Sequence, residues 1–428
     1  MSPPVNPLEH GAAPPERPGR RAPVPGGDQV ARAVVRAAVG RWGEGNVTVL
    51  EDGRPRPVAG PEPGGGGVVV TVHDPRAYRY LLRHGSVGLG RSYAAGWWDA
   101  DDLVELVRLL TRRLPTASGP GDALAALRAR RGGRVQAVDP ARDRRDVQAH
   151  YDLGNAFFEL FLDPTLTYSC AIFDPPTATL EEASVAKLDR ICRKLELSPD
   201  DHVLEIGTGW GSFALHAASR YGCRVTTTTI SDRQLAYASR RVAESGLGRL
   251  VTVCGDHYRD LDGRFDKLVS IEMIEAVDWP HHREFFQRCA ALVRPGGLMA
   301  LQAIVIDDRL FERAKRSEDF IKDMVFPGSC IPSVASIVSS VASATDFRMV
   351  GLEDIGMHYA ETLARWRERF RANRAEISAL GYDRSFLRTW DLYLAYCRAG
   401  FLEQRISDVQ ILLAKPGWRP AGAPGAPR

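Results

Sequence analysis

The sequence predicts an α/β fold: a mostly parallel sheet covered by helices on both faces, carrying a helical insert, and preceded by a small α+β domain. Three observations predict it. From Val185 to Ile306, short apolar runs alternate with stretches of helical periodicity. The first of those runs leads straight into a glycine turn and a helix. The chain has 428 residues, 44% hydrophobic and 25% charged, enough for two or three globular domains.

The elements follow in order. Residues 1–27 hold eight prolines by Pro25 and bury too little apolar surface to order themselves, so a flexible tail is expected. Residues 28–115 read as the small α+β domain. Asp28 to Trp42 has helical spacing, Val47 to Glu51 and Val68 to Val72 are β-like, and Arg54 to Gly67 reads as a long Pro/Gly turn. A helix is expected over Asp74 to Leu82, and another from an Asp101 or Asp102 cap to about Leu114. Trp97 and Trp98 suit either a core or a lipid or partner contact.

Residues 116–149 form a connector rich in arginine (Arg128, Arg130, Arg131, Arg134, Arg142, Arg144, Arg145). It is either a solvated linker or a patch for anionic head groups, where each arginine contributes about 1 kcal/mol. Residues 150–415 read as the main domain. Helices are expected over 185–195, 212–220, 232–244 and 281–293. Strands are expected over 203–206, 223–229, 250–254, 267–271 and 298–306. Residues 307–345 are the helical insert, and the remainder to 415 returns to helix and two terminal strands. Residues 416–428 read as a flexible tail.

The glycine turn carries the first chemical information. In HVLEIGTGWGS, Val203, Leu204 and Ile206 mark a buried strand around Glu205, and Gly207, Gly209 and Gly211 follow at alternate positions. This G-x-G-x-G spacing with a preceding acid suits S-adenosylmethionine (SAM), which has no pyrophosphate to cradle. Glycines let the backbone approach the ligand where a Cβ would collide. The expected fold is therefore the Rossmann-like class I SAM-methyltransferase sheet. Ligands in such sheets sit at the carboxyl ends of the strands. That rule selects Gly207, Thr208 and Gly209 after the first strand, and Thr229, Ile230 and Ser231 with Gln234 after the second. Gly255 and Asp256 follow the third, and Glu272, Met273, Ile274 and Glu275 the fourth. Asp256 is placed to accept from an adenine amine. Threonines stand where the general class often has a ribose-binding acid, which leaves that work to Gln234 or another residue.

Composition excludes several classes. A net charge of +3 gives no argument for nucleic acid. Seven widely spaced cysteines with no C-x-x-C point to free thiols in a reducing cytoplasm, with neither a disulfide framework nor a metal site. No apolar run is long enough to span a membrane, and the N-terminus lacks a signal-peptide core.

Longer stretches carry a family resemblance. YDLGNAFFELFLDPTLTYSCAIF (Tyr151 to Phe173), VLEIGTGWGS, TISDRQ, SIEMIEAV, FIKDMVFPGSCIPS, HYAETLARWRERF and TWDLYLAYCRAGF occur in this order. They resemble the cyclopropane-fatty-acyl-phospholipid synthases and the relatives that methylate unsaturated acyl chains. EMIEAV and LQAI look most like the actinobacterial tuberculostearic-acid branch. The resemblance implies a SAM-dependent methyltransferase acting on cis-unsaturated phospholipid acyl chains. The expected product is a 10-methylene chain, with a cyclopropane as the alternative. It implies a bicarbonate ion as the base, held by Cys170, Glu275, the Ile304 backbone and Tyr359. Gln302 stands where many synthases have histidine; it can orient an anion but carries no proton at neutral pH. Cys397 matches another family cysteine, for which a structural or acyl-channel role is expected. Tyr168 and Ser169 look like SAM contacts, as do Glu205 and Gly211. Implied partners are the membrane surface, at its inner face, a nicotinamide- or flavin-dependent reductase for a methylene product, and further subunits in a homo- or hetero-oligomer.

The chemistry suits an apolar site. An isolated alkene is a poor nucleophile and must be held in line with the sulfonium methyl; orientation of this kind contributes roughly 7–11 kcal/mol. The resulting carbocation must be kept from water until a proton leaves. Two other classes remain open from sequence: a non-catalytic lipid- or partner-binding subunit, and a small-molecule N- or O-methyltransferase.

Overall fold

The structure, a computed structural model, describes residues 26–40, 47–59, 67–113 and 153–420. The expected tail up to Pro25, the basic connector 116–149 and the last eight residues lie outside the described residues. The chain divides into two units. One takes in the described residues up to 113 together with Ser317–Pro327 and Leu363–Arg405; the other takes in 153–316, Gly328–Thr362 and 406–420. The expected unbroken run from 150 to 415 is thus divided between both.

The first unit contains a four-stranded sheet of β1 (Val47–Glu51), β2 (Arg54–Ala59), β3 (Val68–Val72) and β4 (Trp98–Ala100), in the order β2-β1-β3-β4. β1 and β3 are parallel; the other pairs are antiparallel. The expected long turn after Arg54 is corrected here, because RPRPVA pairs with β1. Its prolines are tolerated since β2 lies at the sheet edge, where missing N–H donors cost no ladder bond. The helix after Asp74 runs to Ala94, past its expected end, with a kink at Gly85 (φ 56°). Trp97 and Trp98 are buried, which decides for the core. Trp98 donates its indole N–H to Ser92 Oγ at 3.0 Å. On the helix Arg384–Leu402, Asp391 accepts from Arg367 Nε and Arg371 Nε, each at 2.8 Å.

The second unit is built on seven strands. These are β5 (His202–Ile206), β6 (Arg224–Thr228), β7 (Val251–Cys254), β8 (Phe265–Ile271), β9 (Val293–Ile306), β10 (Arg348–Asp354) and β11 (Ile406–Ala414). Their order is β10-β11-β9-β8-β5-β6-β7. β5 to β9 pair in parallel, whereas β11 is antiparallel to β9 and β10. This is the mostly parallel, helix-covered sheet of a class I SAM methyltransferase. Side chains alternate across it. Val203, Val225, Val269 and Ala300 pack with helices Leu180–Lys194 and Ser212–Tyr221. Leu204, Leu268, Met299 and Leu301 pack with Phe285, Phe286, Ile337 and Val341 of the opposite layer. The strand order reverses between β5 and β8, so the loops leaving their carboxyl ends diverge and leave a crevice.

Candidate active site

A cavity of about 180 Å³ occupies that crevice. Ser212 starts its helix from Gly211, which holds φ 88° as the N-cap. Gly207 holds φ 102°, and a Cβ there would lie 3.2 Å from Met273. Its amide and that of Thr208 both donate to the Thr228 carbonyl at 3.0 Å. The glycine turn is thereby bound to β6, and its open side lines the cavity. Thr229 Oγ1 donates to Gln234 Oε1 at 2.9 Å, and both residues line the cavity with Ile230 and Asp256. Glu205 accepts from Thr227 Oγ1 at 2.6 Å, and burial pushes its carboxyl up to about 8. Buried Lys187 donates to Ser169 Oγ at 2.7 Å; burial pulls its ammonium below the usual lysine range. Tyr168 packs edge-on against Phe158, which also touches Trp210, a further lining residue.

Where β8 ends, Glu272 takes φ 48°, a left-handed conformation uncommon for a non-glycine residue. Its carboxylate collects three donors. The Cys170 amide reaches Oε1 at 2.8 Å, Gln302 Nε2 reaches Oε1 at 2.8 Å, and the Tyr359 hydroxyl reaches Oε2 at 2.6 Å. Gln302 Nε2 also donates to Asp408 Oδ2 at 2.9 Å, and Gln410 Nε2 donates to Gln302 Oε1 at 3.0 Å. Glu275 Oε1 accepts from the Ile304 amide at 2.5 Å, while its Oε2 and Asp408 Oδ1 are buried with no hydrogen-bond partner.

Three acids thus crowd one buried region. Burial pushes Glu275 up to about 8, with the Glu272 charge adding to the shift. Burial raises Asp408 well above the usual carboxylate range, reinforced by both glutamates. Burial raises Glu272 too, but its three donors and the Lys187 charge oppose the shift. The donors and the Lys187 charge thus favour the carboxylate form of Glu272, and its charge adds to the upward shift of the other two acids. Of the three, only Glu272 lines the cavity.

The structure gathers Tyr168, Ser169, Glu205, Gly207, Thr208, Gly209, Thr229, Ile230, Gln234 and Asp256 around one cavity. Gly211 and Gly255 do not line it: the first caps a helix, and the second places its missing Cβ 3.2 Å from Leu235. Cys170, Glu275, Gln302, Ile304 and Tyr359 do converge, in a layer behind Glu272. Burial raises the Cys170 thiol well above its usual range, which disfavours the thiolate. Cys397 belongs to the other unit, where burial raises its thiol as well. Sequence reasoning placed Glu272 at a ligand-facing strand end without a specific role, and gave none to Asp408 or Lys187. The ends of β8 and β9 were visible as strand ends, but nothing in the sequence signals that Asp408 lies opposite Ile304 across the β9–β11 ladder.

The cavity fits SAM: its turn presents bare backbone at Gly207 and Gly209, its walls are largely apolar, and polar side chains such as Thr229, Gln234 and Asp256 stand among them. A bicarbonate ion does not fit. The Cys170 amide, the Gln302 amide and the Tyr359 hydroxyl already hold Glu272, and the Ile304 amide holds Glu275. A further anion would meet three acids with those donors engaged.

Among known proteins, the family described as mycolic acid cyclopropane synthetase matches residues 138–411. The tuberculostearic acid methyltransferase UfaA1 of Mycobacterium tuberculosis is 39% identical over 362 residues, covering 81% of this chain and 83% of that protein. The cyclopropane-fatty-acyl-phospholipid synthase of Escherichia coli K12 is 35% identical over 347 residues, covering 80% and 86%. The crystal structure of the mycolic acid cyclopropane synthase CmaA1 complexed with SAH and CTAB superposes with a TM-score of 0.60 at 33% identity, covering 64% of this chain and 98% of that one.

Proposed function

Because the chain belongs to the mycolic acid cyclopropane synthetase family and is a SAM-dependent methyltransferase, we propose that it methylates the cis double bond of phospholipid-bound, oleoyl-type acyl chains and releases a 10-methylene chain. The observation that carries this reading is the cavity in which the glycine turn at Gly207 and Gly209 shares apolar walls with the Glu272 carboxylate at the end of β8. SAM supplies an electrophilic methyl group there. The turn at Gly207 and Thr208 presents backbone to it, and Thr229, Gln234 and Asp256 offer polar partners. Trp210, Ile271, Met273 and Val277 keep water from the reacting carbon. The likeness to a mycobacterial tuberculostearic acid methyltransferase supports the methylene reading. The cyclopropane ring remains the alternative, supported by the E. coli relative.

Among the described residues, no helix is long and apolar enough to cross a membrane. In this reading, access to acyl chains is peripheral, at the inner membrane face, aided by the connector arginines. A methylene product calls for a separate reductase, nicotinamide- or flavin-dependent, as the next catalyst, and assembly as a homo- or hetero-oligomer belongs to the same reading.

The test is incubation of the full chain with methyl-deuterated SAM and vesicles of dioleoyl phosphatidylglycerol. The expected result is labelled acyl chains whose vinylidene protons resonate downfield. Upfield ring protons would select the cyclopropane, and unlabelled lipid would overturn the reading.

A further inference from the structure

We propose that Glu272 is this enzyme's own catalytic base, its carboxylate standing in for the bicarbonate ion that the family resemblance implies. The inference rests on the acyl-alkene reading above. Each group expected to hold the external anion has a partner within the chain. Cys170 N, Gln302 Nε2 and Tyr359 Oη hold the two Glu272 oxygens at 2.6–2.8 Å, and Ile304 N holds Glu275. Three donors around one carboxylate are what a bound carboxylate-shaped ion would require. The left-handed backbone at Glu272 brings that carboxylate in from the strand end, and Glu272 also lines the cofactor cavity.

The roles of the neighbours follow. Gln302 joins Glu272 to Asp408, so it is a positioning residue that fixes the carboxylate plane. Its inability to carry a proton is then no defect, because the proton goes elsewhere. The balanced step is this. The alkene electron pair forms the new C–C bond to the sulfonium methyl, and the C–S bond electrons leave on sulfur. A hydride shift moves the positive charge to the methylated carbon. A C–H bond of the new methyl then breaks, its electron pair becomes the second bond of the methylene group, and the proton forms O–H on Glu272. Without the hydride shift, the same C–H electron pair closes the ring.

The test compares the wild type with Glu272→Gln and Glu272→Gly. Glycine accepts the φ of 48° without strain and empties the carboxylate position. The first measurement needs no turnover: titration of the full chain with [13C]bicarbonate, followed by 13C NMR. No bound bicarbonate is expected for the wild type, and a saturable bound signal is expected for Glu272→Gly. The second is vesicle methylation in buffer purged of carbon dioxide, with and without added bicarbonate. The wild-type rate should change less than about twofold. Glu272→Gln should lose at least about 100-fold while SAH affinity stays within about threefold. Glu272→Gly should recover on adding bicarbonate or formate. Saturable bicarbonate binding by the wild type, a wild-type rate that needs bicarbonate, or a fully active Glu272→Gln would overturn the proposal. A wild type that transfers no methyl to any cis-unsaturated lipid overturns the functional reading instead, and the NMR titration still decides whether Glu272 fills the anion position.

Discussion

Asp391 and Asp408 are both buried aspartates, yet their surroundings give them opposite character. Asp391, in the first unit, is gripped by the forks of Arg367 and Arg371. Those charges hold its carboxyl below the usual range despite burial. Asp408, in the second unit, accepts from the neutral amide of Gln302, and burial with two neighbouring glutamates raises its carboxyl. The first arrangement fixes a helix through a satisfied ion pair. The second leaves buried oxygens unpartnered beside a ligand cavity. Burial alone therefore says little about an acid; the charge and donor count around it separate a structural carboxylate from a candidate catalytic one.

Four measurements sharpen or break this contrast. Asp391→Ala has the largest expected effect. It leaves the buried Arg367 guanidinium without its carboxylate, which costs about 3–5 kcal/mol and shows as a lower midpoint in urea unfolding. A midpoint unchanged from the wild type would remove Asp391 from the structural class.

The pH dependence of stability comes next. Glu275 titrates near 8 when folded and near the ordinary 4.5 when unfolded. Its proton therefore favours the folded state fully below 4.5, and this contribution is lost as pH rises towards 8. Glu205 adds in the same direction. Asp391 acts oppositely: its contribution is present above the unfolded aspartate value and lost as acid is added. Melting curves should show stability falling between pH 5 and 8, roughly, with Glu275→Gln flattening the slope by up to about 1.4 kcal/mol per pH unit. Equal slopes for the variant and wild type would contradict the assignment of Glu275 as a neutral acid.

Gly207→Ala tests the cofactor end. It places a Cβ 3.2 Å from Met273 at a φ that costs about 1–2 kcal/mol for an L-residue. About tenfold weaker SAH binding by calorimetry is expected, with a smaller change in melting temperature. Cys397→Ser is the mildest. Its thiol is held neutral, and methyl transfer should stay within about threefold of wild type in the vesicle assay. A loss of a hundredfold or more would return Cys397 to the reacting centre.

Much of the fold was legible because its signals are local. The strands β5, β6 and β8 and the helix Asp232–Glu244 have compact apolar or periodic patterns, and the turn at Gly207 needs a residue free of Cβ strain. β2 escaped notice because Pro55 and Pro57 argue against a strand until an edge position makes them harmless. The short strand β4, at the opposite edge of the same sheet, was hidden in a tryptophan run whose burial no local pattern states. The division of the chain was hidden too, since Ser317–Pro327 and Leu363–Arg405 group with residues far away in sequence.

The two ends of the candidate site divide along the same line. The sequence by itself determined the cofactor end, because a glycine turn between a strand and a helix is specified by residues in covalent succession. Only the tertiary structure decided the acid end. The partners of Glu272 lie 30, 87 and 102 positions away, and Gln302 lies 106 positions from Asp408. Whether a carboxylate there is free, paired or neutral depends on the distances and dielectric that folding creates. Glutamate at position 272 is written in the chain; that it meets a hydroxyl, an amide N–H and a glutamine is a property of the folded sheet alone.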